Sequence, residues 1–211
     1  MAEIDHLVYA SPDVDAGVRY IQELTGAEAV VGGSHVGRGT QNALLTFDER
    51  TYFEIIGVDP NQPAPSAPRG FRLDSLVEPG LVAFAVHPTG AETIEDVAGV
   101  IASRGFDAGT LLAMSREKPD GELLEWRLST GGDTGHRLGG ALPFVIDWLG
   151  QPSPATSLPS MGSLAKLSVQ HDDARIGVVL KELGLGTAVE FTVGAPKLSA
   201  TIDTPRGVVQ L

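Results

Sequence analysis

The stretch IDHLVYA (residues 4–10) reads as a β-strand, and the segments after it decide the fold. Ser11-Pro12-Asp13 is a helix entry, with proline and acidic residues at the start. Val14, Val18, Ile21 and Leu24 then recur at helical spacing, and Gly26 stops the helix. Strands are expected over 27–32, 42–48 and 51–58, the last two joined by a tight turn at DER (48–50). The order is β-α-β-β-β.

The same order begins again at LVAFAVHP (81–88), where Pro88 is placed like Pro12. A helix over 91–104 carries Ile94, Val97 and Ile101 on one face and ends at Gly105. Strands are expected over 107–114, 121–129 and 142–149. A third round starts at LAKLSVQH (164–171). Asp172-Asp173 opens a helix with Ile176, Val179, Leu180 and Leu183 on one face, Gly184 closes it, and strands come after it over 187–193, 197–203 and 207–211. One such unit is too small to bury its own sheet face, so the units must pack on one another. The alternative is three unrelated α+β segments. The proline-rich connectors DPNQPAPSAPRG (59–70) and QPSPATSLPSMG (151–162) cannot hold regular structure for long and read as surface linkers or as lids.

The bulk properties limit the partners. Among 211 residues, 27 are acidic and 15 basic, a formal charge of -12, which argues against nucleic acid and anionic membrane as partners. Hydrophobic residues make up 42%, enough for a real core. The chain has no cysteine, which removes disulfides, thiolate metal ligands and cysteine nucleophiles. The first residues lack the basic start and long apolar run of a signal peptide, and no apolar run is long enough to cross a membrane. A soluble, cytoplasmic protein is the default expectation.

The β-α-β-β-β order, the first strand IDHLVYA and the fourth strand TYFEIIG (51–57) resemble the vicinal oxygen chelate superfamily. That superfamily includes glyoxalase I, extradiol dioxygenases, and the bleomycin and fosfomycin resistance proteins. HVGRGTQNALLTF (35–47), TYFEIIG and LPFVIDW (142–148) are more closely similar to its glyoxalase-like domain group. The resemblance implies an α+β fold in which two tandem βαβββ modules (1–58 and 80–150, linker 59–79) form a curved mixed β-sheet cup with helices outside. Residues 163–211 are a third module, expected to pack on the outside or to pair with another chain; a homodimer is compatible with this.

The resemblance also implies a site. The family's first-strand histidine and fourth-strand glutamate bind a divalent metal, and these positions match His6 and Glu54. Strand alternation places Ile4, His6, Val8 and Ala10 on one face and Tyr52, Glu54, Ile56 and Val58 on another. A carboxylate within an apolar strand is costly unless paired or bound to metal. Its alternative partner is an arginine such as Arg127, and for His6 the alternative is a core histidine bonded to a backbone carbonyl. Aligning Pro88 with Pro12 puts Val82 opposite His6, a residue that cannot bind metal. The counterpart of Glu54 is Val145 or, in a shifted register, Asp147, which would be a third ligand.

The loop SHVGRGTQN (34–42) offers His35, Arg38, Gln41 and Asn42 for hydrogen bonds to a small ligand, or is a solvated hairpin. Arg127 would suit an anionic or carbonyl-bearing ligand if buried. The glycine-rich STGGDTGHRLGG (129–140) reads as a flexible loop or lid that brings His136 and Arg137 to the mouth. Trp126 and Trp148 read as core. Besides a degenerate repeat kept for interaction or assembly, two functions are compatible with these residues. One is a metal-dependent lyase, isomerase or dioxygenase acting on a small oxygenated molecule, with Glu54 catalytic and one ion of Zn, Mn, Fe or Ni. The other is a metal-free binder of the bleomycin-resistance type.

Overall fold

Asp13 starts the first helix. Its carboxylate accepts hydrogen bonds from the amides of Asp15 and Ala16 (2.9 and 3.2 Å), filling two donors that the first turn leaves unpaired. At the other end Gly26 adopts φ 81°, open to a residue without Cβ, and returns its amide to the Gln22 carbonyl. In the computed structural model, which describes residues 1–117, 121–130 and 138–211, this helix α1 (Val14–Thr25) follows strand β1 (Ala2–Ala10) and precedes β2 (Val30–His35), β3 (Thr40–Thr46) and β4 (Tyr52–Val58).

The order recurs as β5 (Gly80–Pro88), α2 (Ile94–Ser103), β6 (Thr110–Glu117), β7 (Leu123–Thr130) and β8 (Phe144–Asp147). It recurs again as β9 (Ser163–His171), α3 (Arg175–Glu182), β10 (Val189–Val193), β11 (Lys197–Thr204) and β12 (Gly207–Gln210). β2 and β6 each begin three residues later than the sequence suggests, because turns occupy the expected starts. After α1 the Ala27 amide bonds to Thr25 Oγ1 (3.1 Å). Before β6 the Gly109 amide bonds to Asp107 Oδ1 (2.8 Å), with Gly109 at φ 80°.

The first eight strands make a mixed sheet in the order β1-β4-β3-β2-β6-β7-β8-β5, and it closes on itself. Two seams join its halves. One is the long antiparallel pair β1/β5; the other is a short β2/β6 contact through Ser34↔Glu117 and His35↔Arg116. The expected cup is therefore a barrel, because the short β2/β6 contact ties the ends of the two edge strands together. β12 ends a separate four-stranded sheet, β10-β9-β11-β12.

One apolar core runs outside the barrel. It joins Leu7 and Tyr9 of β1, Phe53 and Ile55 of β4 and Phe84 and Val86 of β5 to the buried faces of all three helices and to Leu167, Val169, Leu198 and Ile202 of the second sheet. A second cluster lies inside the barrel, with Val8, Ile56, Ala83, Ala85, Trp126, Phe144 and Ile146. No helix among the described residues is long and apolar enough to cross a membrane.

The β1/β5 seam carries two bulges, and they place the site. His6 pairs with Ala85, Leu7 with Phe84 and Val8 with Ala83, but Ile4 pairs with Val86 and Tyr9 with Leu81. Asp5 on β1 and Val82 on β5 are the extra residues. The expectation that Ile4 shares a face with His6 fails for this reason: the inserted Asp5 shifts the alternation, sending Ile4 to the outer core and His6 to the interior.

Candidate functional site

The barrel encloses a cavity of about 670 Å³, within the range of small-molecule sites. Its two walls differ in chemistry. The wall from β1 to β4 presents His6, His35, Thr40, Asn42, Tyr52 and Glu54. The facing wall presents Met114, Leu124, Trp126, Leu128, Phe144 and Ile146, with Trp148 at its end. Arg116, on β6 beside the short seam, stands between them.

On the polar wall every side chain is held by another. His6 Nδ1 lies 2.7 Å from Asp5 Oδ1, and Asp5 is fully buried. An ionised carboxylate there accepts a hydrogen bond from Nδ1–H and leaves Nε2 facing the cavity. Asp5 also accepts from Trp148 Nε1 (2.9 Å), and His87 Nδ1 lies 3.2 Å from its other side. Burial pushes the Asp5 carboxyl up, but the bonds from His6, His87 and Trp148 outweigh it and hold the pKa at about 2.

His6 Nε2 is 3.8 Å from Glu54 Oε2. The His6 ring stacks on Tyr52, with centroids 4.5 Å apart, and meets the Phe144 edge. Burial, with the carboxylates of Asp5 and Glu54, lifts the Tyr52 hydroxyl well above its usual range, so it stays protonated. Asn42 is the junction: its amide donates to Glu54 Oε1 (2.6 Å), its second proton faces His35 Nε2 (3.4 Å), and its carbonyl accepts from Arg116 Nη1 (3.0 Å). His35 Nδ1 is 2.9 Å from Thr40 Oγ1. Burial lowers the His35 pKa despite Glu54 nearby, which keeps this ring neutral.

The structure thus brings His6, Glu54, His35 and Asn42 together, with Arg38 at the rim. Three expected residues lie elsewhere. Gln41 alternates outward from β3 and reaches the Val58 carbonyl (3.4 Å). Asp147 lies between Ile146 and Trp148, both of which face inward, so it turns outward. There it lines a separate cleft of about 460 Å³ with Asp5, His87, Glu95 and Arg127, and accepts from the Leu149 amide (2.9 Å). Arg127 faces the same outer cleft and pairs with Glu95. His136 and Arg137 lie outside the described residues.

Strand pairing also corrects the counterparts of His6 and Glu54 in the second half. The His6↔Ala85 and Val8↔Ala83 pairs are symmetric about Leu7↔Phe84, so Ala83 stands where His6 does; Val82 is the counterpart of the bulged Asp5. β4 places Glu54 beside Val8, and β8 places Phe144 beside Ala85, so Phe144 takes the position of Glu54. By the same rule Leu128, paired with Ile146, answers Asn42, paired with Ile56.

A divalent metal held across the barrel would need donors from both halves. The second half offers a methyl group, a phenyl ring and an isobutyl group at the matching positions, and Asn42 already takes a bond from the buried Arg116 and gives one to Glu54. Among the described residues no three His, Cys, Asp or Glu side chains gather closely enough to hold a metal ion. The residues do not fit the two-sided ligand set that the resemblance implies.

Sequence reasoning missed Asp5, Arg116 and the place of both tryptophans, and it left the first connector open between a surface linker and a lid. That connector is the cavity roof: residues 65–72 line the cavity, and Arg69 ties them down through the Gly39 carbonyl (2.8 Å) and Asp74. Phe71 and Arg72 there adopt φ 55° and 54°, which L residues rarely do. A carboxylate beside the histidine of an apolar strand was a readable signal for Asp5. Trp126 and Trp148 line the cavity as well as the core, 5.7 Å apart.

The family model described as Glyoxalase-like domain matches residues 4–181. The solved structure of a hypothetical protein from Staphylococcus aureus is similar over the full length: 16% identity, 100% of this chain and 98% of that chain, TM-score 0.66. At this identity it bears on the fold alone. A variant of Streptomyces coelicolor methylmalonyl-CoA epimerase, in complex with 2-nitronate-propionyl-CoA, is 20% identical over 72% of this chain and 98% of that one, with a TM-score of 0.46. No curated protein matches.

Proposed function

Because the chain belongs to the glyoxalase-like domain family, we propose that its barrel receives one small oxygenated molecule and holds it without a metal shared between the two halves. The observation that carries this is the replacement of His6, Glu54 and Asn42 by Ala83, Phe144 and Leu128 on the opposite wall. In this reading residues 1–150 are two βαβββ modules that form the chamber, and residues 163–211 are a third that braces it. The ligand's oxygens meet the polar wall, where His6 Nε2 accepts and the Tyr52 hydroxyl donates, while its apolar body lies on Trp126, Phe144 and Trp148.

Metal analysis of the purified protein by mass spectrometry tests the reading. The expected result is less than one metal per chain, unchanged in His6→Ala and Glu54→Ala. A stoichiometric metal lost in both variants would instead establish a metal-dependent lyase, isomerase or dioxygenase built on His6 and Glu54.

A second reading has one observation in its favour. Asp5 fixes the His6 tautomer and aims Nε2 at the cavity, which is how a general base is positioned. The chamber would then move a proton on its ligand, with Glu54 as the second acid–base group 3.8 Å away.

A further inference from the structure

Two N–H groups in the chamber have nothing to bond. Arg116 Nε and Trp126 Nε1 are buried without a hydrogen-bond partner among the described residues, and both residues are only 6% exposed. Buried donors are nearly always satisfied, and two orphans on residues that line one cavity mark where a ligand's acceptors belong. The arginine is the stronger case. Among the described residues its guanidinium bonds to the neutral Asn42 carbonyl, and no carboxylate pairs with it directly. A guanidinium taken out of water without a counter-charge is strongly disfavoured. Desolvation accordingly lowers its pKa, although Tyr52 and Glu54 act the other way. The rest of the lining repeats the sign: Arg38, Arg69 and Arg72 also line the chamber, and Glu54 is the single carboxylate among its described lining residues. Arg69 is matched by Asp74, and Arg116 is the buried cation that stands beside the short β2/β6 seam. This excess of cationic lining residues lies within a chain of formal charge -12.

We propose that the molecule bound in the barrel carries an oxyanion head, a carboxylate or a phosphate monoester, received by Arg116 and the Trp126 N–H, with an apolar ring seated on Phe144, Ile146 and Trp148. The inference rests on the chamber reading above and adds the charge and polarity of its occupant. The two ends of the site then divide the work. The head lies at the short β2/β6 seam, where Arg116 is fixed by pairing with His35. The body extends along the aromatic wall toward His6, whose ring meets Phe144.

The test uses three compounds that share one ring: 2-naphthoate, its neutral amide 2-naphthamide, and 2-naphthyl phosphate, titrated calorimetrically into the intact protein. At least one anion binds the wild type about tenfold or more tightly than the amide, the scale of one charge-assisted contact. The tighter anion identifies the head. Arg116→Gln abolishes that preference. Trp126→Phe keeps the ring, removes the N–H and reduces the preference, which guards against an Arg116 variant that fails to fold. Arg127→Gln, in the outer cleft, leaves it intact. Equal binding of all three compounds to the wild type, or a preference that survives both Arg116→Gln and Trp126→Phe, overturns the proposal while the chamber reading stands. No binding by any of the three defeats both.

Discussion

Asp5 sits fully buried with His6, His87 and Trp148 around its carboxylate. That placement couples one residue to the pH dependence of the whole fold. Its pKa falls from an ordinary 3.8 to about 2 on folding. A depressed carboxyl pKa stabilises the native state fully above about pH 4 and loses that contribution as pH falls toward 2. The shift corresponds to about 2 kcal/mol, of which about 1 kcal/mol disappears between pH 5 and pH 3. Urea denaturation at those two pH values should therefore show the wild type losing about 1 kcal/mol more than Asp5→Asn; parallel losses in the two proteins would rule out the coupling. His87 works with the opposite sign. The Asp5 carboxylate raises its pKa above 6.5 against the effect of burial, so its contribution is present below 6.5 and fades as pH rises through the folded value. Both residues stand in the sequence in plain view. Their meeting does not, because residues 5 and 87 touch only through the seam between two distant strands.

The bulges at Asp5 and Val82 show what an element can decide. Period-two alternation predicts the interior faces of β3 and β4 correctly, with Thr40, Asn42 and Leu44 on one strand and Tyr52, Glu54 and Ile56 on the other. It fails on β1 and β5, where one extra residue shifts every side chain beyond it to the other face. Alignment on prolines therefore selects Val82 where the strand pairing selects Ala83. Building a two-sided donor set separates the two registers. The double variant Ala83→His with Phe144→Glu should bind Zn²⁺ at least about tenfold more tightly than the wild type, since it adds two donors facing His6 and Glu54. Val82→His with Val145→Glu should not, because Val82 is the bulged residue and Val145 belongs to the outer core. Calorimetric titration of the two folded double variants decides; tighter binding by the second would refute the register. The roof at 65–72 belongs to this scale too. The prolines of the connector announce an irregular segment, but only its anchorage by Arg69 puts it over the cavity.

Across the whole molecule, one continuous outer core joins the barrel to the second sheet, which should make the two unfold together. Leu7, Phe84, Ile101, Val179 and Ile202 lie in one cluster, and the Ala2 amide bonds to the Leu183 carbonyl (2.8 Å). Arg104 and Glu182 bridge α2 and α3, and Arg206 reaches the Glu23 carbonyl at the end of α1. The chain's two tryptophans both line the barrel cavity, so their fluorescence reports the barrel, while far-UV circular dichroism reports both sheets. Urea unfolding followed by the two signals should give coincident transitions. A tryptophan transition separated from the dichroism transition would show that residues 163–211 fold on their own.

The elements were legible in the chain before any folding: strand, helix and three strands, recurring with glycine stops and apolar stripes, because those signals are local and obey the periods of 2 and 3.6. His6 and Glu54 were legible as a pair too, through the resemblance of their two strands to the vicinal oxygen chelate superfamily, and for Glu54 also through the cost of a carboxylate in an apolar strand. Folding in three dimensions added the rest. It closes the sheet, sets Asp5 against His6, gathers Arg116 and two tryptophans at one cavity, and turns Asp147 and Arg127 outward. Each of those outcomes depends on register between strands far apart in the chain, and register is a property of the paired backbone that neither strand carries alone.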